Sequence, residues 1–193
     1  MTTNEEALLV ASILKGNTTD YAKLVDQYKD LVYTLAIRML KNREEAEEVS
    51  QDVFIKIYKS LASFKGDSKL STWVYRVTYN CCLDQIKKNK KHLNDVPIDE
   101  YNYNKIDTID NALESLIKEE KQQLIRSCVN RLPEESSAII TLFYFDELSL
   151  DEISGITGIE SNTVKVKLFR ARKKLAKIME QYMIPKNNLN YGT

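Results

Sequence analysis

Seven basic side chains crowd the stretch from Ser161 to Glu180: Lys165, Lys167, Arg170, Arg172, Lys173, Lys174 and Lys177. Glu180 is the only acid among them, leaving a net +6. Cations packed this densely neutralise phosphates, and Lys and Arg also donate to guanine edges. A second basic block, Ser63 to Lys91, sets Lys65, Lys69, Arg76, Lys87, Lys88, Lys90 and Lys91 against Asp67 and Asp84, a net +5. Between the two, His92 to Glu120 holds two basic and eight acidic residues, a net −6. The chain of 193 residues is neutral overall, so the placement of charge carries the signal. Two separate places suited to phosphate contact flank an acidic middle. A solvated helix face accounts equally well for either block taken alone.

Covalent chemistry has little to work with. Cys81, Cys82 and Cys128 form no CxxC pair and no zinc spacing with His92, the single histidine. They read as half-buried helix residues. No phosphate-binding loop is present. The acidic cluster from Glu44 to Asp52 has the chemistry to hold Mg²⁺, and it is the whole support for a nucleic-acid hydrolase or transferase. The reading is therefore of a protein without catalytic residues, metal or cofactor.

The elements that must position the second block form a helix-turn-helix. Ser149 and Glu152 make a capping box for a short first helix. Gly158 stands where a tight turn needs a residue without a Cβ penalty. Ser161 is placed to cap the second helix. Val164, Leu168, Ala171, Leu175 and Ile178 form one apolar stripe that must face inward. Asn162, Thr163, Lys165, Val166, Lys167, Phe169 and Arg170 fall off it, near the end that enters a major groove in such motifs. Arg172, Lys173 and Lys174 follow, as backbone contacts. A helical bundle with a basic exterior is the alternative.

The first block sits behind longer helices. Tyr21, Leu24, Val25, Tyr28, Leu31, Val32, Leu35, Ala36 and Met39 recur at helical spacing. Asn42 offers an N-cap with Glu45 placed to reach back, and Ala46, Val49, Val53, Ile57 and Leu61 make the next buried stripe. A polar loop, Lys65 to Lys69, precedes a helix starting near Ser71 and carrying Trp73, Val74, Val77 and Cys81. A short first helix with Leu8, Leu9, Ile13 and Leu14 ends at Gly16. Periodicity fails from about Lys90 to Asp110 and returns with Leu113, Leu116, Ile117, Leu124, Ile125, Cys128 and Val129. Pro133 suits the first turn of a helix running toward Phe145. The expected fold is all-α: a helical domain over 1–90, a flexible acidic linker over 91–111, a helix-turn-helix domain over 112–184 and a tail over 185–193. No apolar run spans a bilayer and the N-terminus lacks signal-peptide character, so a cytoplasmic location is expected.

In order along the chain, these segments resemble the extracytoplasmic-function (ECF, group IV) sigma factors of the sigma-70 family. Glu44 to Phe54 resembles that family's core-polymerase-binding helix. Phe64 to Asn80, continued by Asp84 to Lys88, looks like its promoter-melting region. Arg131-Leu132-Pro133-Glu134-Glu135 and the helix-turn-helix are similar to its C-terminal promoter domain. The resemblance implies a sigma-2-like bundle followed by a sigma-4-like domain, in an alternative sigma factor. It implies RNA polymerase core and promoter DNA as partners, with an anti-sigma protein as a candidate third. Glu45, Glu48 and Asp52 would dock on a coiled coil of the largest polymerase subunit. Phe64, Lys65, Asp67, Ser68, Arg76 and Asn80 would hold the melted −10 strand, with Lys87 and Lys88 on phosphates and Trp73 mainly structural. The −35 element would fall to Asn162, Thr163, Lys165, Val166, Lys167, Phe169, Arg170, Lys173 and Lys174.

The sequence departs from the family pattern at Asn162, where Gly is usual, and at Val166, where Ser is usual. Val166 touches a thymine methyl but cannot hydrogen-bond a base. Lys87 and Lys88 stand where Arg is frequent, keeping the charge without the planar fork. The alternative function is a dimeric helix-turn-helix regulator that binds an inverted repeat and acts without core polymerase.

Overall fold

A computed structural model describes residues 3–92 and 123–183, and over these residues the chain is helical, with no strand. The expected linker from 93 onward, Leu113, Leu116, Ile117 and the expected tail lie outside the described residues.

Helix α2 (Thr18–Leu40) forms where the apolar spacing predicts it. The Asn17 Oδ1 accepts from the Thr19 and Asp20 amides at 3.0 and 3.2 Å, a cap worth about 1 kcal/mol. Leu24, Tyr28, Val32, Leu35, Ala36 and Met39 are buried along one face. The helix ends at Lys41, left-handed at φ 59°. Helix α3 (Arg43–Ser60) starts behind Asn42, whose Oδ1 accepts from the Glu45 amide at 3.1 Å, and packs Ala46, Val49, Val53 and Ile57 on α2. A 3₁₀ turn, Leu61–Ser63, delivers Leu61 to the same core. Helix α1 (Thr3–Leu14) adds Leu9, Val10 and Ile13. Leu8 and Leu14, expected beside them, are exposed because the buried face of this helix centres on Leu9 and Ile13.

The C-terminal part is built from α5 (helical residues 123–130), α6 (Glu134–Tyr144), α7 (Leu150–Thr157) and α8 (Ser161–Met183). Pro133 stands at the N-cap of α6 in an extended conformation, one residue before the first-turn position expected for it. Ala138, Ile139, Ile140, Leu142, Ile153, Ile156, Val164, Leu168 and Ala171 interlock the last three helices.

Helix α4 (Leu70–His92) joins the two parts and corrects the sequence reading. Val74 is buried as expected, but Trp73, Val77 and Cys81 are only half-buried. The covered positions are Leu70, Val74, Thr78 and Cys82, together with Tyr75 and Tyr79. The reason is that α4 is packed on two sides, by α2 and α3 on one and by α7 on the other. Burial pushes the Tyr79 hydroxyl up to about 12.

Candidate nucleic-acid interface

The C-terminal face is set by local chemistry. The Ser149 Oγ accepts from the Glu152 amide at 3.2 Å while the Glu152 carboxylate accepts from the Ser149 amide at 3.0 Å, so the expected capping box is formed. These bonds hold the Glu152 carboxyl below its ordinary range. Gly158 ends α7 at φ 72°, a left-handed turn in which a side chain is strained. Ser161 is the first residue of α8, not its cap, so the helix begins one position earlier than expected.

With Val164, Leu168 and Ala171 turned inward, Asn162, Thr163, Lys165, Val166, Phe169, Arg170, Lys173 and Lys174 are exposed. The Lys173 ammonium lies 4.9 Å from the Phe169 ring centroid. Among the described residues neither Lys165 nor Arg170 has a polar partner in the protein. Lys167 differs. Its Nζ reaches both Glu135 carboxylate oxygens at 2.7 Å and the side chain is partly covered, so its charge is drawn aside from the outer face.

The N-terminal face is less open. The Phe64 ring packs on Trp73, centroids 5.7 Å apart, which ties the loop to α4 and gives Trp73 a packing role. Lys65, Asp67 and Ser68 project into solvent beside Gly66, at φ 78°. Arg76 and Asn80 lie one turn apart on the outward side of α4, and both line a cleft of about 590 Å³ whose other wall is Gly155, Thr157, Gly158 and Glu160 of the helix-turn-helix. The Arg76 Nε donates to the Gly155 carbonyl at 2.6 Å. Lys69 pairs with Glu152 at 3.2 Å, an exposed contact of small worth. Lys87 and Lys88 are exposed beyond the cleft.

On α3, Glu48 and Asp52 are exposed. Glu45 is not on the same footing. Its carboxylate accepts both from the Asn89 side-chain amide at 3.0 and 2.9 Å, pinning α3 to α4. It therefore does not reach back to Asn42, and the expected reciprocal cap is absent. Ile55 and Tyr58 are exposed on this helix, about half of each open to solvent. Both fall off the Ala46–Val49–Val53–Ile57 stripe, which is the signal that would have found them.

Sequence reasoning also passed over a polar seam between the two parts. The Arg38 Nη1 donates to the Thr141 Oγ1 at 2.9 Å, and the same guanidinium sits 4.1 Å above the Phe145 ring. The Ser137 Oγ donates to the Arg38 carbonyl at 3.3 Å, and the Lys41 Nζ to the Leu132 carbonyl at 2.6 Å. Tyr75 hydrogen-bonds Asp146, whose carboxyl burial pushes above its ordinary range, against the pull of Tyr75 and Arg38. Arg38, alone among Ile37, Met39 and Leu40 at the end of an apolar helix, was the available hint. Burial raises all three cysteines, Cys82 to about 12. Among the described residues no three His, Cys, Asp or Glu side chains are grouped to hold a metal ion, and no helix is long and apolar enough to cross a membrane.

Comparison with known proteins matches residues 24–92 to sigma-70 region 2 and residues 122–175 to sigma-70 region 4. The chain is 35% identical over 175 residues to the ECF RNA polymerase sigma factor SigW of Bacillus subtilis, covering 87% of this chain and 93% of that one. It is 29% identical over 174 residues to the ECF RNA polymerase sigma-E factor of Escherichia coli K12, covering 87% and 91%. Its fold is also that of the sigma factor RpoE of Bartonella quintana, solved with the anti-sigma factor NepR, at TM-score 0.67 and 21% identity over 83% and 97% of the two chains. A dimeric regulator working without polymerase does not account for the region 2 match, and the chain belongs to the sigma-70 family as an ECF-type alternative sigma factor of RNA polymerase.

Proposed function

We propose that this sigma factor works in the cytoplasm without catalysis of its own, dividing promoter recognition between α4 and α8 along the domain boundaries expected from the sequence. Glu48 and Asp52, with Glu45 behind them, form the acidic face offered to a coiled coil of the largest polymerase subunit. Phe64, Lys65, Asp67, Ser68, Arg76 and Asn80 take the melted −10 strand, and Lys87 and Lys88 hold phosphate. The exposed face of α8, from Asn162 to Arg170 with Lys173 and Lys174 beyond, enters the −35 major groove. An anti-sigma protein, of the kind bound to the Bartonella factor, is the further partner.

The observation that carries this reading is the outer face of α8. An exposed basic row, with Lys165 and Arg170 open to solvent, stands one turn from a capped turn helix, on an apolar stripe. Reconstitution with core polymerase over a genomic promoter library tests it. The expected result is promoter-specific transcripts that Arg76→Ala and Arg170→Ala each suppress. Transcripts no greater than those of core alone would overturn it.

A further inference from the structure

We propose that Glu6, on α1, is a positioning residue for −10 recognition, closing the N-terminus of α4 and so holding the loop from Lys65 to Lys69 in its binding shape. The proposal rests on the assignment of that loop to the melted −10 strand. The Glu6 Oε2 accepts from the Leu70 backbone amide at 3.2 Å. Leu70 is the first residue of α4, and its amide is one of those that no carbonyl within the helix can reach. A carboxylate there also meets the positive end of the helix dipole.

Helices α2, α3 and α7 are each capped by the residue just before them: Asn17, Asn42 and Ser149. The residue before α4 is Lys69, whose carbonyl accepts the first helical bond, from the Trp73 amide at 3.2 Å. Its side chain holds no acceptor and cannot cap. The acceptor comes instead from 64 positions upstream. Glu6 is half-buried, at helical spacing from Leu9, Val10 and Ile13, on the face of α1 that packs inward. An acid on that face costs free energy unless it is hydrogen-bonded, and the Leu70 amide bonds it. Burial pushes the Tyr28 hydroxyl up to about 12 and the Glu6 charge adds to this, which sets the carboxylate beside the core.

The loop is tied at both ends and open between them. At one end the Phe64 amide donates to the Leu61 carbonyl at 3.0 Å, and the Phe64 ring packs on Trp73. At the other the Leu70 side chain is fully buried and its amide is on Glu6. Residues 65–69 are exposed, and Gly66 turns them at φ 78°. Their course is therefore set by the two ties. Freeing the Leu70 amide lets the first turn of α4 fray. A loop that samples several shapes then binds in proportion to the fraction in the right one. Arg76 and Asn80 lie beyond that first turn, on a helix still packed against α2 and α3.

Glu6→Ala tests this in the full-length chain, with core polymerase and promoters altered separately at −10 and at −35. Loss of one capping contact predicts a roughly 5-fold fall in preference for the matched −10 element, with preference at −35 unchanged. Backbone amide exchange should quicken at Leu70. Glu6→Gln keeps an oxygen acceptor and should restore both readouts. Should Glu6→Ala fail to fold, Glu6→Met fills similar space without that oxygen and carries the same expectation. Equal losses at −10 and −35 would make Glu6 a merely structural residue and overturn the proposal. So would unchanged exchange at Leu70, quickened exchange with −10 preference intact, or a Glu6→Gln variant as impaired as Glu6→Ala. Were Lys65→Ala and Arg76→Ala both to keep the wild-type −10 preference, the −10 reading would fail by itself, and exchange over residues 65–70 would still decide whether Glu6 holds the loop.

Discussion

The face of α8 proposed to read −35 and the face of α4 proposed to read −10 are made from the same residue types and differ in what surrounds them. The α8 face is set largely by neighbours in sequence: a capping box at Ser149 and Glu152, a left-handed Gly158, and an apolar stripe from Val164 to Ala171 that rests on α6. Its outer residues meet solvent. The α4 face is packed on both flanks, and its central Arg76, though exposed, gives its Nε donor to a backbone carbonyl of the other part. A surface specified locally can be read from the sequence, whereas one that doubles as a packing surface is fixed only once its long-range partner is in place.

The largest effect that would break this contrast is loss of the α8 platform. Leu168 is almost fully buried, and Leu168→Ala should cost about 2–5 kcal/mol, seen as a lower midpoint in urea followed by circular dichroism. The loss should fall on −35 duplex binding and leave docking on core polymerase through α3 little changed.

Next in size is the division of labour along α8. Arg170→Ala should weaken −35-dependent promoter binding by about 1–3 kcal/mol, roughly 5–150-fold, lower transcription accordingly and relax base preference. Lys167→Ala should do much less, because Glu135 already holds that ammonium. Equal losses in transcription titrations would show that Lys167 leaves Glu135 on DNA.

A smaller effect lies in the seam. Asp146 binds its proton more tightly in the folded chain than in the unfolded one, since burial raises its carboxyl. Its contribution therefore favours the fold at low pH. That contribution is lost as pH rises from the ordinary 3.8 through the raised value. Glu152, lowered by Ser149, acts in the opposite sense, losing its contribution as pH falls through its own lowered value. Thermal melts of wild type and Asp146→Asn isolate the first term: the difference should move in favour of wild type as pH falls across that window. A pH-independent difference would remove Asp146 from the account.

The smallest effect is at the cysteines. With Cys82 and Cys128 buried and all three thiols raised, native protein at neutral pH should resist alkylation that urea-unfolded protein undergoes at all three, read by mass spectrometry.

Much of the fold was legible because its signals are local. Asn17, Asn42, Ser149 and Gly158 mark helix ends by chemistry confined to a few residues, and the stripes of α2, α3 and α8 repeat at the helical period. What was not legible is long-range. Glu45 meets Asn89, Lys167 meets Glu135, and Arg76 meets Gly155, pairs that no spacing rule connects. Each involves a candidate site residue, so exposed charge read from the sequence proved in part to be paired charge. The rotated stripe of α4 has the same origin. Tyr75 and Tyr79 lie off the stripe expected from Trp73, Val74, Val77 and Cys81, yet both are buried, and Tyr75 hydrogen-bonds Asp146.

The central claim, that promoter recognition is divided between α4 and α8, is tested most directly by transcription with core polymerase from promoters altered separately at −10 and at −35. Arg76→Ala should lose sensitivity to −10 changes and keep it to −35 changes, and Arg170→Ala should do the reverse. Loss of sensitivity to both elements in either variant, or to neither in both, would contradict the account.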